Sequence, residues 1–519
     1  MAEISVNEAK IYNTKRGCVL VKNKFEEYEI EDIKKQLTVK PNMADDYGQN
    51  IDEIKVFLEN KNKLYIPNFW TRDNLKKYDI TDNLPKGIDI DIKFNGSLRD
   101  NQQKPINATI KQLNEYGGGI LCLSCGAGKT VLALNLISQI KKKVLIIVHK
   151  DFLVGQWKER IEQFLPDARI GLIQADKIII NDCDIVIGML QSISQKKYPL
   201  TTFDSFGFTI IDECHRIPCK VFSKALFKIN SNFMLGLTAT PNRKDGLIKI
   251  LKWHIGPIFY KDKNINNKTN VVVERYKLQN NDFEIGKKQY YHIDGYTEEH
   301  LMFNGKVNRS KMISELVLFK PRIDMISNLI NDLHQIGRKT LILSDRIQHL
   351  KDIYKNVDNG IKKGYYIGGM KEEALSKTAE CDLIFGSFSM AQEGMDIDSL
   401  NTIILASPKT DIEQAVGRIF RKSHEQFYPL IIDIIDDFSV FKGQCEKRNK
   451  FYKSKNYVIH NIHYSISGNV ILKEEDNYLE KKNKKKNNLN NIDDNDDDNN
   501  SVKNIKKKCM FKNLKKLND

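Results

Sequence analysis

A glycine-rich loop at residues 121–130, with the sequence LCLSCGAGKT, carries the residue types that bind a triphosphate. Gly126 and Gly128 let the backbone curl, so that successive amides point into one anion site at the positive end of the helix that follows. Lys129 adds a charge for the β- and γ-phosphates, and the Thr130 hydroxyl is a ligand for Mg²⁺. We expect the nucleotide site to include Ser124, Cys125, Gly126, Ala127, Gly128, Lys129 and Thr130. The alternative is a glycine turn without a ligand, and the motifs downstream decide between the two.

Two adjacent carboxylates, Asp212 and Glu213, directly follow the apolar run FTII. A strand that ends in two carboxylates can direct one toward the metal on the phosphates and leave the other to orient or deprotonate the attacking water. We assign Asp212 to Mg²⁺ and Glu213 to the water. An acidic pair can also cap a helix, but the position of this pair downstream of the glycine-rich loop favours the catalytic interpretation.

A pair of arginines, Arg418 and Arg421, lies near the end of the second half of the chain in the sequence QAVGRIFR. Three residues apart, they share one face of a predicted helix. A guanidinium keeps its charge and suits the transition state of γ-phosphoryl transfer. Two arginines on a solvated helix are the alternative, which the preceding motifs make less attractive.

The loop residues, the carboxylates and the arginines must be positioned by strands and helices, and the sequence alternates near-continuous apolar runs with helical patterns. The runs are VLIIV at 144–148, DIVIGM at 184–189, FTIIDE at 208–213 and FMLGLTAT at 233–240, then TLILS at 340–344, YYIGG at 365–369, DLIFGS at 382–387, NTIILAS at 401–407 and PLIIDII at 429–435. Such runs are typical of parallel sheets covered on both faces. We therefore predict two α/β domains, at 96–265 and 310–460, joined by a connecting region at 266–309, with nucleotide in the cleft between them.

The two ends of the chain differ from this pattern. Residues 1–95 mix β-like runs at 18–22, 63–70 and 88–94 with a helical stretch at 26–37, which predicts a small mixed accessory domain. Phe69 and Trp70 could stack on bases, but packing in a core is the favoured interpretation. Residues 474–519 are dominated by Lys, Asn and Asp, and we expect this tail to be disordered.

Composition favours a polyanionic partner. The 519 residues include 82 Lys and Arg against 67 Asp and Glu, a net charge of +15, although a basic tail alone gives the same sign. The nine cysteines are scattered, which argues against a disulfide framework or a structural metal. A charged start and the lack of long apolar runs predict a soluble, intracellular protein with no membrane partner. Nucleus, cytoplasm, viral factory and virion are not distinguished, and neither is the oligomeric state.

With these motifs in order, the chain resembles the superfamily 2 helicases over residues 98–421. Further matching segments are LRDNQ at 98–102, VHKDFLVGQW at 148–157, GMLQSI at 188–193, TATPNRKDG at 238–246 and GSFSMAQEGMDI at 386–397. The resemblance implies a fold of two tandem RecA-like parallel-sheet domains with a small N-terminal accessory domain. It also implies ATP hydrolysis with ATP and Mg²⁺ as cofactors and nucleic acid as the partner.

The resemblance also assigns roles to individual residues. Gln102 would read adenine, and Gln414 would face the γ-phosphate. Asp396, with Glu393 and Gly394, would line both the nucleotide and the strand. Three residues would couple hydrolysis to domain closure, namely His215, Thr238 and Thr240. The residues expected to act in catalysis are Lys129, Asp212, Glu213, Gln414, Arg418 and Arg421.

Four polar residues at strand ends are candidates for sequence-independent contacts with phosphates: Gln191, Ser192, Ser387 and Ser389. Ordinary turn capping is an equally good interpretation for each of them.

The details of the motifs look more like the DNA-directed relatives than the DEAD-box RNA helicases. Those relatives include the xeroderma pigmentosum B repair helicase, the branch-migrating helicase of T-even phages and the poxvirus transcript-release helicase. DECH replaces DEAD, and the PTRELA of the RNA relatives is absent. The resemblance implies DNA rather than RNA, 3′→5′ polarity, and a place in transcription or repair machinery. Two alternatives stay open: an RNA helicase or transcript-release ATPase, and a non-catalytic nucleic-acid-binding scaffold.

Overall fold

Three principal sheets organise the part of the chain that the computed structural model describes. The described residues are 10–41, 53–124, 126–199, 201–216, 219–239, 245–262, 271–279, 302–303, 306–393, 395, 397–420, 426–437, 439–465 and 470–476. Described residues up to Glu474 form one compact unit. No helix among the described residues has both the length and the apolar character needed to cross a bilayer.

The first sheet belongs to the N-terminal region and has the strand order β5-β6-β2-β1-β7. The elements of this region are β1 (Ile11–Thr14), β2 (Gly17–Val21), α1 (Glu27–Gln36), β3 (Thr38–Val39), β4 (Ile54–Lys55), β5 (Leu58–Glu59), β6 (Lys63–Ile66), α2 (Asn68–Asn74) and β7 (Ile80–Asp82). The run predicted at 63–70 is a strand followed by a helix, because Pro67 lies between them and caps α2. The run at 88–94 forms a single bridge, between Asp89 and Lys142.

Phe69 and Trp70 confirm the packing interpretation. Both lie on α2 and are 2% and 3% exposed. Trp70 packs in the core of the N-terminal sheet, and Phe69 packs against the neighbouring α/β domain and stacks on Tyr116 at 5.5 Å. Neither ring is available to stack on a base.

The second sheet has eight strands in the order β11-β10-β12-β9-β13-β14-β8-β15, all parallel to their neighbours except β11. Its elements are α3 (Asp100–Tyr116), β8 (Gly118–Cys122), α4 (Lys129–Ile140), β9 (Val144–Val148), α5 (Asp151–Phe164), β10 (Ile170–Gln174), β11 (Lys177–Ile179), β12 (Ile185–Met189), α6 (Leu190–Gln195), β13 (Phe208–Ile211), α7 (Cys219–Ile229), β14 (Phe233–Thr238), α8 (Ile248–Ile255) and β15 (Ile258–Lys261). Every residue of β8, β9 and β13 is buried, as a sheet covered on both faces requires.

The third sheet also has eight strands, in the order β20-β21-β19-β22-β23-β16-β24-β25. The remaining elements are β16 (Val272–Gln279), β17 (Met302–Phe303), β18 (Lys306–Val307), α9 (Arg309–Leu316), α10 (Lys320–Gln335), β19 (Thr340–Ser344), α11 (Ile347–Asn356), β20 (Lys363–Tyr366), α12 (Glu372–Ala379), β21 (Leu383–Ser387), α13 (Phe388–Glu393), β22 (Thr402–Leu405), α14 (Glu413–Val416), β23 (Leu430–Ile434), α15 (Ser439–Ser454), β24 (Val458–Ser465) and β25 (Val470–Glu475). The two large parallel sheets give the α/β fold of two tandem RecA-like domains.

The third sheet extends beyond the predicted limits of 310–460. β16 lies in the segment that the sequence analysis assigned to the connecting region, and it pairs in parallel with β23 on one side and β24 on the other. β24 runs to Ser465, and β25 continues the sheet to Glu475. β16 was missed because its apolar run lies between long polar segments, whereas its partners are far away in the chain. The predicted tail lies outside the described residues after Asp476.

Parallel strands place their carboxyl ends at one edge of each sheet, where ligands of α/β proteins bind. In the second sheet β8 precedes the glycine-rich loop, β13 precedes Asp212, and β14 ends at Thr238. These three strands are neighbours in the order β13-β14-β8. The fold therefore brings the main sequence motifs of this domain to one edge.

Candidate functional site

The glycine-rich loop has the backbone that its sequence predicts. Gly126 and Gly128 have φ values of +79° and +76°, in the left-handed region where a side chain is strained. Gly128 is also the cap from which α4 begins at Lys129. The loop therefore ends on a helix N-terminus, where the helix dipole favours an anion. Ser124 and Ala127 belong to the same turn, and Cys125 lies outside the described residues.

Lys129 and Glu213 meet at this edge of the sheet. Lys129 Nζ lies 3.4 Å from Glu213 Oε1, and the two side chains are 12% and 21% exposed. Glu213 has a φ of +43°, which is uncommon for a residue other than glycine. The structure thus brings together the cation from the loop and a carboxylate that lies 84 positions further along the chain.

Asp212 is held in place by two hydrogen bonds. Trp157 Nε1 donates to its Oδ2 at 2.9 Å, and the Glu213 amide donates to its Oδ1 at 2.9 Å. Burial raises the pKa of the Asp212 carboxyl to about 6, the Glu213 carboxylate adds to that rise, and the Trp157 hydrogen bond and the Lys129 charge oppose it. The carboxylate therefore titrates closer to neutrality than an exposed aspartate does.

His215 connects the two large sheets. Its Nδ1 is 2.8 Å from Thr238 Oγ1 at the end of β14 and 3.4 Å from Glu213 Oε2. Its Nε2 is 3.4 Å from Gln414 Nε2 on α14, which belongs to the other large domain. Thr238 is completely buried and Gln414 is 4% exposed. A chain of contacts therefore runs from the second sheet through one imidazole to the third sheet.

Gln102 is 3% exposed and contacts the glycine-rich loop from α3. Its Nε2 donates to the carbonyls of Ala127 and Gly128 at 3.1 and 3.3 Å, while its Oε1 accepts from the Arg99 amide at 2.9 Å. Gln102 therefore connects the start of α3 to the glycine-rich loop. The adenine contact expected from the sequence would be made by a side chain that these hydrogen bonds hold beside the loop.

Arg418 lies on a 3₁₀ turn rather than on the predicted helix. α14 ends at Val416, and Gly417–Phe420 continues as the tighter turn that is frequent at helix ends. The guanidinium of Arg418 donates to the carbonyls of Ala391 and Met395, the latter at 2.8 Å, within its own domain. Arg421, Asp396 and Thr240 lie outside the described residues, and so does Gly394.

The candidate phosphate contacts of the second sheet hold loops together. Gln191 Nε2 donates to His149 O at 2.9 Å, and Ser192 Oγ accepts from the Ala175 amide at 2.9 Å. These bonds join the segments after β9, β10 and β12 at the carboxyl edge. Both residues thus lie at that edge, with their side chains engaged in positioning the loops.

The candidate contacts of the third sheet lie beside each other. Ser387 Oγ and Ser389 Oγ are 3.1 Å apart, and Ser387 Oγ also accepts from the Met390 amide at 3.4 Å. The pair follows β21 at the carboxyl edge of its sheet. Its contacts resemble turn capping and leave hydroxyl groups at that edge.

Two site residues were missed from the sequence. Trp157, 2% exposed, was used only as a mark of family resemblance, yet it holds Asp212. Arg99 Nη1 approaches Gly126 O at 3.5 Å. The sequence did contain a clue to the role of Trp157. A buried tryptophan usually needs a hydrogen-bond acceptor for its N–H, and a carboxylate at the end of a strand is a suitable one.

The donor set fits Mg²⁺. Thr130 is the second residue of α4, and the Asp212 carboxylate keeps free lone pairs beside its two hydrogen bonds. A hydroxyl and a carboxylate are hard oxygen ligands of the kind that Mg²⁺ takes together with substrate phosphates.

Two family models match the chain. Residues 95–243 match the family described as "Type III restriction enzyme, res subunit", and residues 321–423 match "Helicase conserved C-terminal domain". The first match covers the glycine-rich loop, the two carboxylates and Thr238, and the second ends just after Arg418.

Several viral proteins are similar over most of their length. The chain is 36% identical over 472 residues to "Putative ATP-dependent RNA helicase L396" of Acanthamoeba polyphaga mimivirus, which covers 89% of this chain and 88% of that protein. It is 26% identical over 387 residues to "Putative helicase 161L" of Invertebrate iridescent virus 6, with 72% and 84% covered. Among solved structures, T4 UvsW matches with a TM-score of 0.35 and 18% identity, covering 84% of this chain and 96% of that one.

Proposed function

Since this chain belongs to the superfamily 2 helicases, which hydrolyse ATP, we propose that it is a 3′→5′ DNA translocase whose ATP is hydrolysed at Lys129. The contact between His215 and Gln414 carries the motor part of this proposal, because it joins the carboxyl edges of the two large sheets at 3.4 Å. The choice of DNA and the polarity rest on the resemblance of the motifs. A motor needs such a joint, since nucleotide at one sheet must change the position of the other.

The proposed chemistry uses the residues around Lys129. The loop amides and the Lys129 ammonium hold the β- and γ-phosphates. Thr130 and Asp212 would hold Mg²⁺, which neutralises charge on the phosphates when it is bound. Glu213, 3.4 Å from Lys129, orients the attacking water and accepts its proton. The strained backbone of Glu213 keeps its carboxylate directed to that position.

The proposed coupling uses residues of both sheets. Gln414 faces the γ-phosphate and reports its presence through His215 to Thr238. Arg418 and Arg421 stabilise the charge that develops on the transferring group. For Arg418 this requires the guanidinium to leave the carbonyls of Ala391 and Met395, so nucleotide binding and local rearrangement are linked. Thr240 and Asp396 complete the coupling set.

Two observations support DNA as the substrate. The family that the first large domain matches is described as the res subunit of a type III restriction enzyme, and the motif details resemble DNA-directed relatives. A specific observation favours RNA as the second candidate, since the mimivirus relative is named as an RNA helicase. Nucleic-acid contacts at Gln191, Ser192, Ser387 and Ser389 suit either polymer, because phosphates are common to both.

The substrate test is ATP hydrolysis by the full chain with single-stranded DNA, duplex DNA or RNA of matched sequence and length. We expect the largest stimulation with DNA, and unwinding of duplexes that carry a 3′ tail rather than a 5′ tail. Stimulation by RNA alone would move the RNA helicase to first place. A protein that binds these polymers but hydrolyses no ATP, alone or with any of them, would favour the non-catalytic scaffold alternative.

Substituting Lys129→Ala should abolish ATP turnover, with a loss of at least about a hundredfold, because the charge on the phosphates disappears. The matched control is Lys158→Ala, which removes an exposed lysine that pairs with Glu162 on α5 at 3.8 Å. Circular dichroism and the thermal midpoint should be those of the wild type for both variants. A Lys129→Ala protein that turns over at the wild-type rate would refute the site.

A further inference from the structure

One lysine in the loop between β22 and α14 fastens that loop to neighbouring segments. Lys409 Nζ lies 3.0 Å from both carboxylate oxygens of Asp345. The same ammonium lies 5.2 Å from the centre of the Phe388 ring. The Asp345 amide in turn donates to Ser407 Oγ at 2.9 Å, so the loop and the Asp345 turn are joined twice.

The segments that Lys409 contacts lie at the carboxyl edge of the third sheet. Asp345 directly follows β19, and Phe388 lies between Ser387 and Ser389 after β21. β21, β19 and β22 are adjacent and parallel, so their ends share the edge at which a nucleic-acid strand is proposed to bind. The ammonium group of Lys409 is therefore connected to the nucleic-acid side of the domain.

The main chain of Lys409 is held by a separate contact with α15. Its carbonyl accepts from Arg448 Nη1 at 2.9 Å, and Arg448 is 1% exposed on α15. Arg448 Nε donates to the buried Asp433 at 2.8 Å, which fixes the guanidinium to β23. The loop backbone at Lys409 is thus anchored in the core of the domain.

The same helix region also anchors the start of α14. Lys455 Nζ lies 2.7 Å from Glu413 Oε1, and Glu413 immediately precedes Gln414. The distance in sequence from Lys409 to Gln414 is short, and both ends of that segment are tied to α15 or its C-terminal extension. A displacement of the Asp345 turn would therefore move Lys409 and, through the short segment 409–413, shift Gln414.

We propose that Lys409 is a positioning residue that carries nucleic-acid binding at the Asp345 and Phe388 edge to α14, and so to ATP hydrolysis. This inference rests on the proposed function. The ion pair of Lys409 with Asp345 is half-buried, with side chains 30% and 25% exposed. Such a pair can be broken without leaving a fully buried charge, which makes it suitable for transmitting a change rather than for holding the fold together.

The first test compares Lys409→Met with Lys409→Arg in the full chain. ATP hydrolysis is measured alone and with the polynucleotide that stimulates the wild type most. We expect Lys409→Met to keep the unstimulated rate and to lower the stimulation ratio by about two- to fivefold, the effect of one partly exposed ion pair. Lys409→Arg should restore the ratio, because a guanidinium can also pair with Asp345.

A double-mutant cycle isolates the pair. Asp345→Asn should lower the stimulation ratio as Lys409→Met does, and the double variant should be no worse than either single one. The matched control is the exposed pair Lys362 and Glu380, which lie 3.5 Å apart on the same domain. Lys362→Met and Glu380→Gln should leave the ratio unchanged.

The outcomes separate this inference from the proposed function. A wild-type protein that no polynucleotide stimulates would overturn the proposed function and the role of Lys409 with it. A stimulated wild type beside an equally stimulated Lys409→Met would overturn only the role of Lys409. Equal loss of both rates together with a lower thermal midpoint would also overturn it, since a purely structural ion pair predicts that result.

Discussion

Asp212 depends on its neighbours for its charge. Burial raises the pKa of its carboxyl to about 6, and the hydrogen bonds from Trp157 Nε1 and from the Glu213 amide stabilise the ionised form. Because the native pKa is higher than the ordinary value of 3.8, the carboxylate is lost as pH falls through about 6. The proposed role of Asp212 as a ligand of Mg²⁺ requires the ionised form, so we expect activity to fall over the same range.

The variant Trp157→Phe should move that acid limb to higher pH. The phenyl ring keeps most of the packing but donates nothing to Asp212, so the pKa of the carboxyl rises further. The measurement is kcat/KM for ATP as a function of pH, which reports groups of the free enzyme. Protonation of ATP itself is the same for wild type and variant and cancels in the comparison.

Trp253→Phe is the matched control, because this tryptophan packs against the N-terminal core and not against the nucleotide site. Its acid limb should coincide with that of the wild type. Coincident acid limbs for Trp157→Phe and wild type would show that the hydrogen bond does not set the charge of Asp212.

Residue types predicted a nucleotide site from the sequence, but not the contacts among its residues. Lys129 and Glu213 were assigned separately, and the structure brings them within 3.4 Å. The sequence could not show that Gln102 uses both of its polar atoms on Arg99 and the loop, since an amide side chain has many partners within reach. The roles assigned to the site residues all stay predictions, and Thr240, Asp396 and Arg421 also lie outside the described residues.

At the level of elements, α3 and the glycine-rich loop act as a unit through Gln102. A Cβ atom built on Gly128 would lie 2.4 Å from Gln102 Nε2, whereas one built on Gly126 meets nothing closer than Phe420 O at 3.8 Å. Both glycines have a left-handed backbone, so the strain of an added methyl group is similar at the two positions. Only the collision with α3 differs.

Gly128→Ala should therefore impair ATP binding more than Gly126→Ala. We expect the additional loss to correspond to about 1 kcal/mol and to be measured as a higher KM for ATP, because the Gln102 amide can shift but then gives up its hydrogen bonds to the loop carbonyls. Adding Gln102→Ala to Gly128→Ala should cost less than the sum of the two single effects, because the collision is removed. Additive effects would mean that α3 does not support the loop.

Elements with continuous apolar runs were predicted well because fully buried parallel strands leave a strong pattern. The predicted runs at 144–148, 208–213 and 340–344 all contain strands of the structure. The run at 63–70 was predicted as one β-like segment, but β6 ends at Ile66 and α2 begins at Asn68, with Pro67 between them. β16 escaped because partners more than 150 residues away do not mark a strand in the sequence.

At the scale of the molecule, the N-terminal region is joined closely to the second sheet. Lys15 Nζ donates to Phe206 O at 2.7 Å, and Asn230 Nδ2 donates to Thr14 O at 2.8 Å. Gly87 and Gly207 pass so near each other that a Cβ on Gly87 would lie 2.2 Å from Gly207 N. We call this contact between the N-terminal region and the second sheet the seam. Its close approach at Gly87 and Gly207 is possible because neither residue has a side chain.

Gly87→Ala should loosen the seam. The added methyl group meets backbone that cannot rotate away, so we expect a lower thermal midpoint and faster trypsin cleavage of the N-terminal region, at a cost of about 1–3 kcal/mol. Gly369→Ala is the matched control, since its φ of +84° resembles the +71° of Gly87 but no atom lies within 4 Å of its added Cβ. Equal effects of the two variants would attribute the loss to backbone strain alone.

Contacts between the large domains could not be predicted from the sequence. His215 and Gln414 are 199 residues apart, and neither residue type specifies the other as its partner. The contact between Lys409 and Arg448, within one domain, could not be predicted either, because neither residue belongs to a recognised motif. Family resemblance locates the edges that must meet, whereas the particular atoms that meet depend on the packing of both sheets.

The position of β16 has a consequence for synthesis of the protein. Val272 pairs with Leu430 on one side and with Val458 on the other. A ribosome therefore releases β16 long before either neighbour exists, and both edges of this strand stay without partners until nearly the whole domain has emerged. Exposed strand edges invite association between nascent chains. We therefore expect both edges of this strand to be open to pairing with other chains until translation of the domain is complete.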